Sequence, residues 1–233
     1  MKTMAVTFGD GNFSPIVEAM AKRFEKLNCI ETMILDIDKL PPMDHAGWSK
    51  TCIWDQLPAD VDRAIWFDAD MIPIAPITDL LPHPAVRFAA VADLYHGGRQ
   101  SAEWDCEEVI GLPVYFNSGF FVANRSTEAA FISAQSRMNE RTWTHWDQTP
   151  LNLELHKILG ENDYQLLPRN ANWMPGFSTI PPADIRMLHL AGFPDGGIRY
   201  CILHSFMIAF ERLTAEELAE KGGALICSGS CAP

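Results

Sequence analysis

The order of apolar and polar positions along the chain predicts strands that alternate with helices. The chain opens on a short apolar run, MAVTF, which is typical of a buried strand. Ser14 and Pro15 then precede apolar residues at helical spacing, which predicts a helix with a serine cap. Later apolar runs predict the strands ETMILDI, RAIWFDADMIPI, VRFAAVADL, VYFNSGFFVAN and MLHLAG. Between or after them, helical spacing recurs in WSKTCIWDQL, STEAAFISAQSRMNE, DQTPLNLELHKIL and HSFMIAFERLTAEELAEK.

This alternation predicts an α/β fold whose central sheet is mostly parallel and has helices on both faces. The segment AIWF is continuously apolar, so we expect its strand to be central and covered on both sides. A chain of 233 residues without internal repeats or a linker predicts one domain, residues 1–233. Within it we distinguish a half over about 1–92, a second over about 93–200, and a C-terminal helix and tail over 201–233. The poorly periodic segment from His96 to Leu112, which contains Trp104, is a candidate closing loop.

Charge and cysteine content exclude several classes of partner. A formal net charge of −12 argues against nucleic acid and against an anionic membrane surface as partners. No apolar run approaches the ~20 residues that span a bilayer, and the N-terminus lacks a secretory pattern. The six cysteines are scattered without a Cys-x-x-Cys pair, which favours reduced thiols and a cytoplasmic protein. For Cys227 and Cys231, in the small-residue tail, a metal or disulfide role stays open.

Two aspartates follow the apolar segment AIWF and form the first candidate site. On a strand, residues i and i+2 point the same way, so we expect Asp68 and Asp70 to face one side and Ala69 the other. Ligand sites of open α/β sheets lie beyond the carboxyl ends of the strands. Adjacent carboxylates repel, and a hard divalent cation relieves that repulsion. The alternative is that one aspartate caps the turn and the other is solvated.

The stretch FDADMIPIAPITDLL resembles the metal-binding Asp-x-Asp stretch of GT-A nucleotide-sugar glycosyltransferases. It is most similar to glycosyltransferase family 8, the glycogenin and galactosyltransferase-like enzymes, and further segments fit in the same order over roughly residues 4–195. The resemblance implies a GT-A (Rossmann-like) fold. It also implies metal-dependent transfer from a nucleoside diphosphate sugar, foremost a UDP-sugar, with retention of configuration. The acceptor would be a hydroxyl of a saccharide, a lipid-linked sugar or a protein.

For the donor, the resemblance implies contacts from several separate segments. VTFGDGNFSP resembles the opening strand and turn that receive the nucleotide, although Asp, Gly and Asn also suit an ordinary tight turn. WSKTCIWDQLP resembles the helix that brings a basic residue near the diphosphate, although a lone lysine there is otherwise simply solvated. The implied donor residues are Phe8, Asp10, Asn12, Lys50, Asp68, Ala69, Asp70 and Gly192.

For the transferred sugar and the acceptor, the resemblance implies residues in the second half. YFNSGFFVAN resembles the Asn-x-Gly strand of the sugar pocket, and HWDQTPLNLEL resembles the Asp-Gln-x-x-x-Asn element, which ends here at Asn152. Without the resemblance, Asp147 is interpreted as a helix N-cap. The implied catalytic residues are Asp147 and Gln148, and the implied sugar or acceptor residues are Asp93, Asn117, Ser118 and Gly119.

His189, in MLHLAGF, resembles the His-x-x-Gly that supplies a third metal ligand beside the two aspartates. Two carboxylates and one imidazole suit Mn²⁺ or Mg²⁺, and the imidazole favours Mn²⁺. The alternative is a hydrogen-bonded core histidine. The chain departs from the family downstream, because it reads HLAGFPDGGIRY where Lys-Pro-Trp is usual. Arg199 is the nearest cation available to replace that lysine.

Three other functions are compatible with the sequence. An inverting transferase would need a carboxylate base, which Asp93 or Asp147 would supply. A phosphohydrolase also uses an Asp-x-Asp pair, but usually on its first strand and followed by Gly or Thr, whereas Met71 follows here. A degenerate nucleotide-sugar-binding protein would explain the missing Lys-Pro-Trp.

Overall fold

The computed structural model describes residues 1–9, 14–41, 46–93, 103, 106–177, 181–191 and 196–210. Its strands are β1 Thr3–Thr7, β2 Thr32–Ile34, β3 Arg63–Phe67, β4 Met71–Pro73, β5 Phe88–Ala92, β6 Phe116–Asn124, β7 Tyr164–Leu166 and β8 Met187–His189. Its α-helices are α1 Ser14–Asn28, α2 Ile53–Gln56, α3 Glu128–Met138, α4 Gln148–Ile158 and α5 Gly196–Phe210.

The central sheet has the strand order β2-β1-β3-β6-β5-β7. Strand β6 is antiparallel to both of its neighbours, whereas the other pairs are parallel, so every strand but β6 runs in one direction. The predicted mostly parallel α/β sheet is confirmed. Because β6 is reversed, its middle residue Phe120 lies opposite Phe67, the last residue of β3, and its first residues extend beyond the end of β3. This reversal brings the segment 117–119 to the sheet edge where β3 ends.

A second, two-stranded sheet completes that edge. Strands β4 and β8 pair antiparallel with His189 opposite Met71, the residue directly after the two aspartates. Strand β4 was not predicted separately from β3, because no turn signal interrupts the apolar run MIPI after Asp70. The pairing matters for the site, since it brings a residue more than a hundred positions downstream beside Asp68 and Asp70.

The core lies on both faces of the central sheet. Phe67 of β3 stacks on Phe24 of α1, with ring centroids 4.9 Å apart, and α1 also packs against α5. On the other face, Trp66 stacks near Phe121, whose ring contacts Phe131 of α3. All five residues of β3 are buried. The predictions of a central β3 and of helices on both faces are therefore confirmed.

Two predicted helices differ from the structure. WSKTCIWDQL does not form one α-helix, since a 3-10 helix, Ala46–Cys52, precedes the single turn of α2. Its residues Ser49 to Cys52 are buried in succession, which an amphipathic α-helix does not allow. The last helix begins at Gly196 rather than near His204, because two glycines at its start hid the helical pattern. Helix α5 therefore includes Arg199.

Most of the predicted closing loop lies outside the described residues, and its last part, Glu107–Gly111, forms a 3-10 helix. Cysteines 29, 52, 106 and 201 are free thiols, whereas Cys227 and Cys231 lie outside the described residues. None of the helices that the structure describes has the length and hydrophobicity to cross a membrane.

Candidate functional site

Asp68 and Asp70 lie on a turn between β3 and β4 and converge on His189. The expectation that the pair continues the strand is wrong, because the Met71 amide donates to the Asp68 carbonyl oxygen at 3.0 Å and closes the turn. His189 Nε2 nevertheless lies 3.2 Å from Asp70 Oδ1 and 3.9 Å from Asp68 Oδ2. One ligand atom from each side chain lies within 4.8 Å of the other two. The predicted trio is therefore brought together.

The electrostatics of this trio fit a cation. Burial raises the pKa of Asp68. Burial acts in the same direction on Asp70, but His189 and Arg199 outweigh it and lower the pKa of that carboxyl. Two carboxylate oxygens and one imidazole nitrogen are a donor set that Mn²⁺ and Mg²⁺ accept. The side chains thus suit the divalent ion that the family resemblance implies.

Lys50 is buried at the centre of the site, with 2% of its surface exposed. Its ammonium lies 2.9 Å from Asp68 Oδ1 and 3.1 Å from Asp147 Oδ2, and it donates to the Ser118 carbonyl oxygen at 3.2 Å. Burial alone would lower the pKa of Lys50, but the carboxylates of Asp147 and Asp68 outweigh it and raise that pKa. The alternative of a simply solvated lysine is wrong.

Asp68 divides its two oxygens between different neighbours. Oδ1 accepts from Lys50 and also from the Trp66 indole N–H, at 2.6 Å, whereas Oδ2 faces His189. Trp66 lies two residues before Asp68 and was predicted only as part of the buried strand. The signal available in the sequence was the two-residue period of a strand, which puts the side chains of Trp66 and Asp68 on the same face. The carboxylate is thereby oriented with one oxygen toward the proposed cation.

Beside this trio, a row of hydrogen-bonded polar side chains joins β6 to α4. Ser118 Oγ donates to Asp147 Oδ2 at 2.8 Å, and the Ser118 amide donates to Gln148 Oε1 at 3.0 Å. Gln148 Nε2 in turn donates to Asp93 Oδ2 at 2.7 Å. Asp147 stands at the N-cap position of α4 but makes no capping hydrogen bond, so the cap interpretation is wrong for its side chain. Asn152 ties the row to the sheet by bonding both backbone groups of Phe116.

Behind His189 lie two buried amides. Asn117 Oδ1 accepts from the Gly119 amide at 3.0 Å and from Asn172 Nδ2 at 2.7 Å. Asn172 Oδ1 lies 2.9 Å from His189 Nδ1. Asn172 was missed in the sequence, because it lies in a short 3-10 helix after strand β7 with no motif around it. Asn117, which the resemblance assigns to the sugar pocket, has its amide oxygen engaged by the Gly119 amide and by Asn172 behind His189.

Gly119 allows the close approach of the His189 ring. A Cβ at this position would lie 2.7 Å from His189 Nδ1 and would meet Cε1 still more closely. Such distances are below any normal non-bonded contact, so a side chain larger than hydrogen would displace the imidazole. The glycine therefore acts here by making room for the proposed metal ligand.

The remaining predicted site residues have varied positions. Arg199 Nη1 lies 3.2 Å from Asp70 Oδ2, in the first turn of α5. Ala69 lies in the turn between the aspartates, and Phe8 is buried in the core directly after β1. The predicted donor residues Asp10, Asn12 and Gly192 lie outside the described residues.

Three solved structures that this chain resembles are glycosyltransferases. A glycosyltransferase involved in the glycosylation of the major capsid of PBCV-1 superposes with a TM-score of 0.66 and 13% identity, over 88% of this chain and 100% of that one. The galactosyltransferase LgtC, in complex with donor and acceptor sugar analogs, superposes with a TM-score of 0.60 and 15% identity, over 94% of this chain and 100% of that one. The glycosyltransferase GlyE of Streptococcus pneumoniae TIGR4 superposes with a TM-score of 0.57 and 16% identity, over 97% of this chain and 64% of that one. The fold is the GT-A fold of glycosyltransferases.

The sequence narrows this class to one family. The model of glycosyl transferase family 8 matches residues 11–187, and the chain belongs to that family. It is therefore a glycosyltransferase, as the resemblance implied. No curated protein matches the chain in sequence.

Replacing Lys50 by Met tests whether the buried ammonium holds the site together. Because Asp68 and Asp147 would then lack their common cation, we expect a loss of about 3 kcal/mol in the free energy of unfolding, measured by urea titration. The pKa of Lys50 is raised on folding, so its stabilisation is complete below the unfolded pKa and is lost only as pH rises through the folded one. The deficit should therefore be equal at about pH 7 and about pH 9.

The matched control is Lys39→Met, which removes an exposed lysine that pairs with Asp36 at the surface. It should change the stability by no more than about 0.5 kcal/mol. A Lys50→Met protein as stable as this control would contradict a structural role for the buried ion cluster.

Proposed function

We propose that the protein transfers a sugar from a UDP-sugar to a hydroxyl acceptor, with retention, and that it requires Mn²⁺ or Mg²⁺. The observation that carries this proposal is the convergence of Asp68, Asp70 and His189 on one point at the end of β3. This convergence unites residues from two parts of the chain, and the family membership gives it a chemical context. Asp68, Asp70 and His189 would hold the cation.

A divalent cation in this position would neutralise the diphosphate and the charge that develops as the bond between sugar and phosphate breaks. Lys50 supports that arrangement from inside the protein. Its charge is shared between Asp68 and Asp147 and its side chain is 3% exposed, so its role is to keep Asp68 ionised and oriented. This role differs from the direct diphosphate contact expected from the sequence.

Arg199 is the better candidate for the diphosphate contact. Its side chain is 35% exposed and its guanidinium lies beside Asp70, at the rim of the cation site. A guanidinium binds phosphate oxygens with two parallel hydrogen bonds. Arg199 therefore takes the place of the lysine that the chain lacks downstream of His189.

The polar row along β6 and α4 would orient the sugar and the acceptor. Asp147 and Gln148 are fixed by Ser118, and Gln148 is also bonded to Asp93. Fixed carboxylate and amide groups recognise sugar hydroxyls through hydrogen bonds, and they lose little entropy when the ligand binds. The acceptor is a hydroxyl compound, either a saccharide, a lipid-linked sugar or a protein.

Asp70→Asn tests the cation site. Titration calorimetry of UDP against the wild-type protein should show binding that MnCl₂ strengthens, because a cation held by Asp68, Asp70 and His189 would attract the diphosphate. In the variant, the increase in UDP affinity on adding Mn²⁺ should be smaller by at least about tenfold. Its thermal unfolding should stay cooperative. Asp60→Asn, which alters an exposed surface aspartate, is the control and should behave as wild type. An unchanged Mn²⁺ dependence in Asp70→Asn would remove these residues from the cation site.

Gly119→Ala tests the site by steric means, without removing any ligand atom. The added methyl would push the imidazole of His189 away, so we expect Mn²⁺-dependent UDP binding to weaken by about tenfold or more. Gly111→Ala is the matched control, since a Cβ there meets nothing within 4 Å. Equal affinities in the two alanine variants would show that the close approach at Gly119 has no bearing on the ion.

Retention is tested by the anomer of the product. A screen of UDP-sugars and hydroxyl acceptors with Mn²⁺ identifies a productive pair, and proton NMR then gives the configuration at the anomeric carbon. An α-linked donor should give an α-linked first product. A β-linked first product would instead require inversion, with Asp93 or Asp147 as base. Metal-dependent UDP binding without turnover of any donor would contradict transferase activity in this chain.

A further inference from the structure

The two buried amides behind His189 form a hydrogen-bonded relay that ends on the imidazole. The relay begins at the backbone amide of Gly119, passes through the side chains of Asn117 and Asn172, and reaches His189 Nδ1. The side chains of Asn117, Asn172 and His189 are all buried, with exposed fractions of 7%, 0% and 4%. Each polar atom of such a relay needs a complementary partner, because unpaired polar groups are costly away from water.

The direction of the relay follows from its first member. A backbone N–H is always a donor, so the Asn117 atom 3.0 Å from the Gly119 amide is the oxygen, Oδ1. That oxygen also lies 2.7 Å from Asn172, and it can only accept, so the Asn172 atom that faces it is the nitrogen, Nδ2. The other end of the Asn172 amide is then Oδ1, and this oxygen faces His189 at 2.9 Å.

The orientation of Asn117 has a second support. Its Nδ2 lies 3.8 Å from the thioether sulfur of Met174, a weak acceptor. A flipped amide would bring two donors together at Gly119 and two acceptors together at Met174. Only this orientation of the Asn117 amide therefore pairs a donor with an acceptor at both Gly119 and Met174.

We infer that Asn172, held by Asn117, is a positioning residue that fixes His189 as the Nδ1–H tautomer and so turns the lone pair of Nε2 toward Asp68 and Asp70. The nearby carboxylate oxygen of Asp70, 3.2 Å from Nε2, acts against this tautomer by attracting a proton to Nε2. The Asn172 oxygen opposes that pull from the other side of the ring. The tautomer is inferred from the bond between His189 Nδ1 and the Asn172 oxygen, whereas its use as a metal ligand rests on the proposed function.

The tautomer is read by long-range ¹H–¹⁵N correlation NMR of the ¹⁵N-histidine-labelled, metal-free protein, with pH raised until the imidazole is singly protonated. The His189 signals are assigned by their loss in His189→Gln. In the wild-type protein Nδ1 should bear the hydrogen. A wild-type spectrum with the hydrogen on Nε2 would overturn the inference.

Variants of Asn172 test the cause. Asn172→Leu keeps the approximate size but removes the acceptor, so we expect the hydrogen to move to Nε2 and the affinity for Mn²⁺ in the presence of UDP to fall by about tenfold to a hundredfold. Asn172→Asp retains an oxygen toward Nδ1. Its second oxygen has to carry a proton to face Asn117 Oδ1, which only accepts, and in that state the wild-type tautomer should persist. If the leucine variant does not fold, the wild-type and aspartate spectra still decide, since either of them with Nε2–H contradicts the inference.

Asn170→Leu is the matched control, because Asn170 lies in the same 3-10 helix, Arg169–Asn172, and is not part of the relay. It should leave the tautomer and the Mn²⁺ affinity unchanged. An Asn172→Leu protein that keeps both the tautomer and the affinity would overturn the positioning role. Failure of the proposed transferase activity is a separate result, since it would appear as absent turnover with the wild-type tautomer intact.

Discussion

The arrangement of the site depends on how Asp68 divides its two carboxylate oxygens, one toward a buried ammonium and one toward His189. Lys50 and the indole of Trp66 both occupy Oδ1, which leaves Oδ2 on the side of His189. The same ammonium also contacts Asp147, a member of the polar row along β6 and α4. One buried charge therefore fixes the distance between the proposed cation site and the proposed sugar site. Removing a buried charge of this kind leaves its partners unpaired, which makes the cluster hard to alter in part.

Two features of the topology bring the participating residues to this point. The reversal of β6 places its first residues, Asn117 to Gly119, just beyond the end of β3, whereas a parallel strand would place its last residues there. The pairing of β4 with β8 then sets His189 next to the aspartates. The side chain of His189 fits because the facing position is a glycine. The register of β3 with β6 and of β4 with β8 therefore determines which side chains meet at the site.

The sequence predicted much of this, for identifiable reasons. The strand before Asp68 and the helix α4 after Asp147 were predicted from apolar runs and helical spacing, whereas the trio of Asp68, Asp70 and His189 was implied by the resemblance to family 8. Asn172 was not predicted, because its role comes from tertiary packing against His189 and Asn117, and it has no local pattern. The burial of Lys50 was missed for a similar reason, since a lysine in a short 3-10 segment reads as solvated until its two carboxylate partners are known.

The central claim is that a divalent cation lies between Asp68, Asp70 and His189 and binds the donor's diphosphate. Anomalous X-ray scattering from crystals grown with Mn²⁺ and UDP tests it most directly. We expect one strong anomalous peak in contact with the carboxylates of Asp68 and Asp70, with His189 Nε2 and with diphosphate oxygens. Bound UDP with no manganese peak at these three side chains would contradict it.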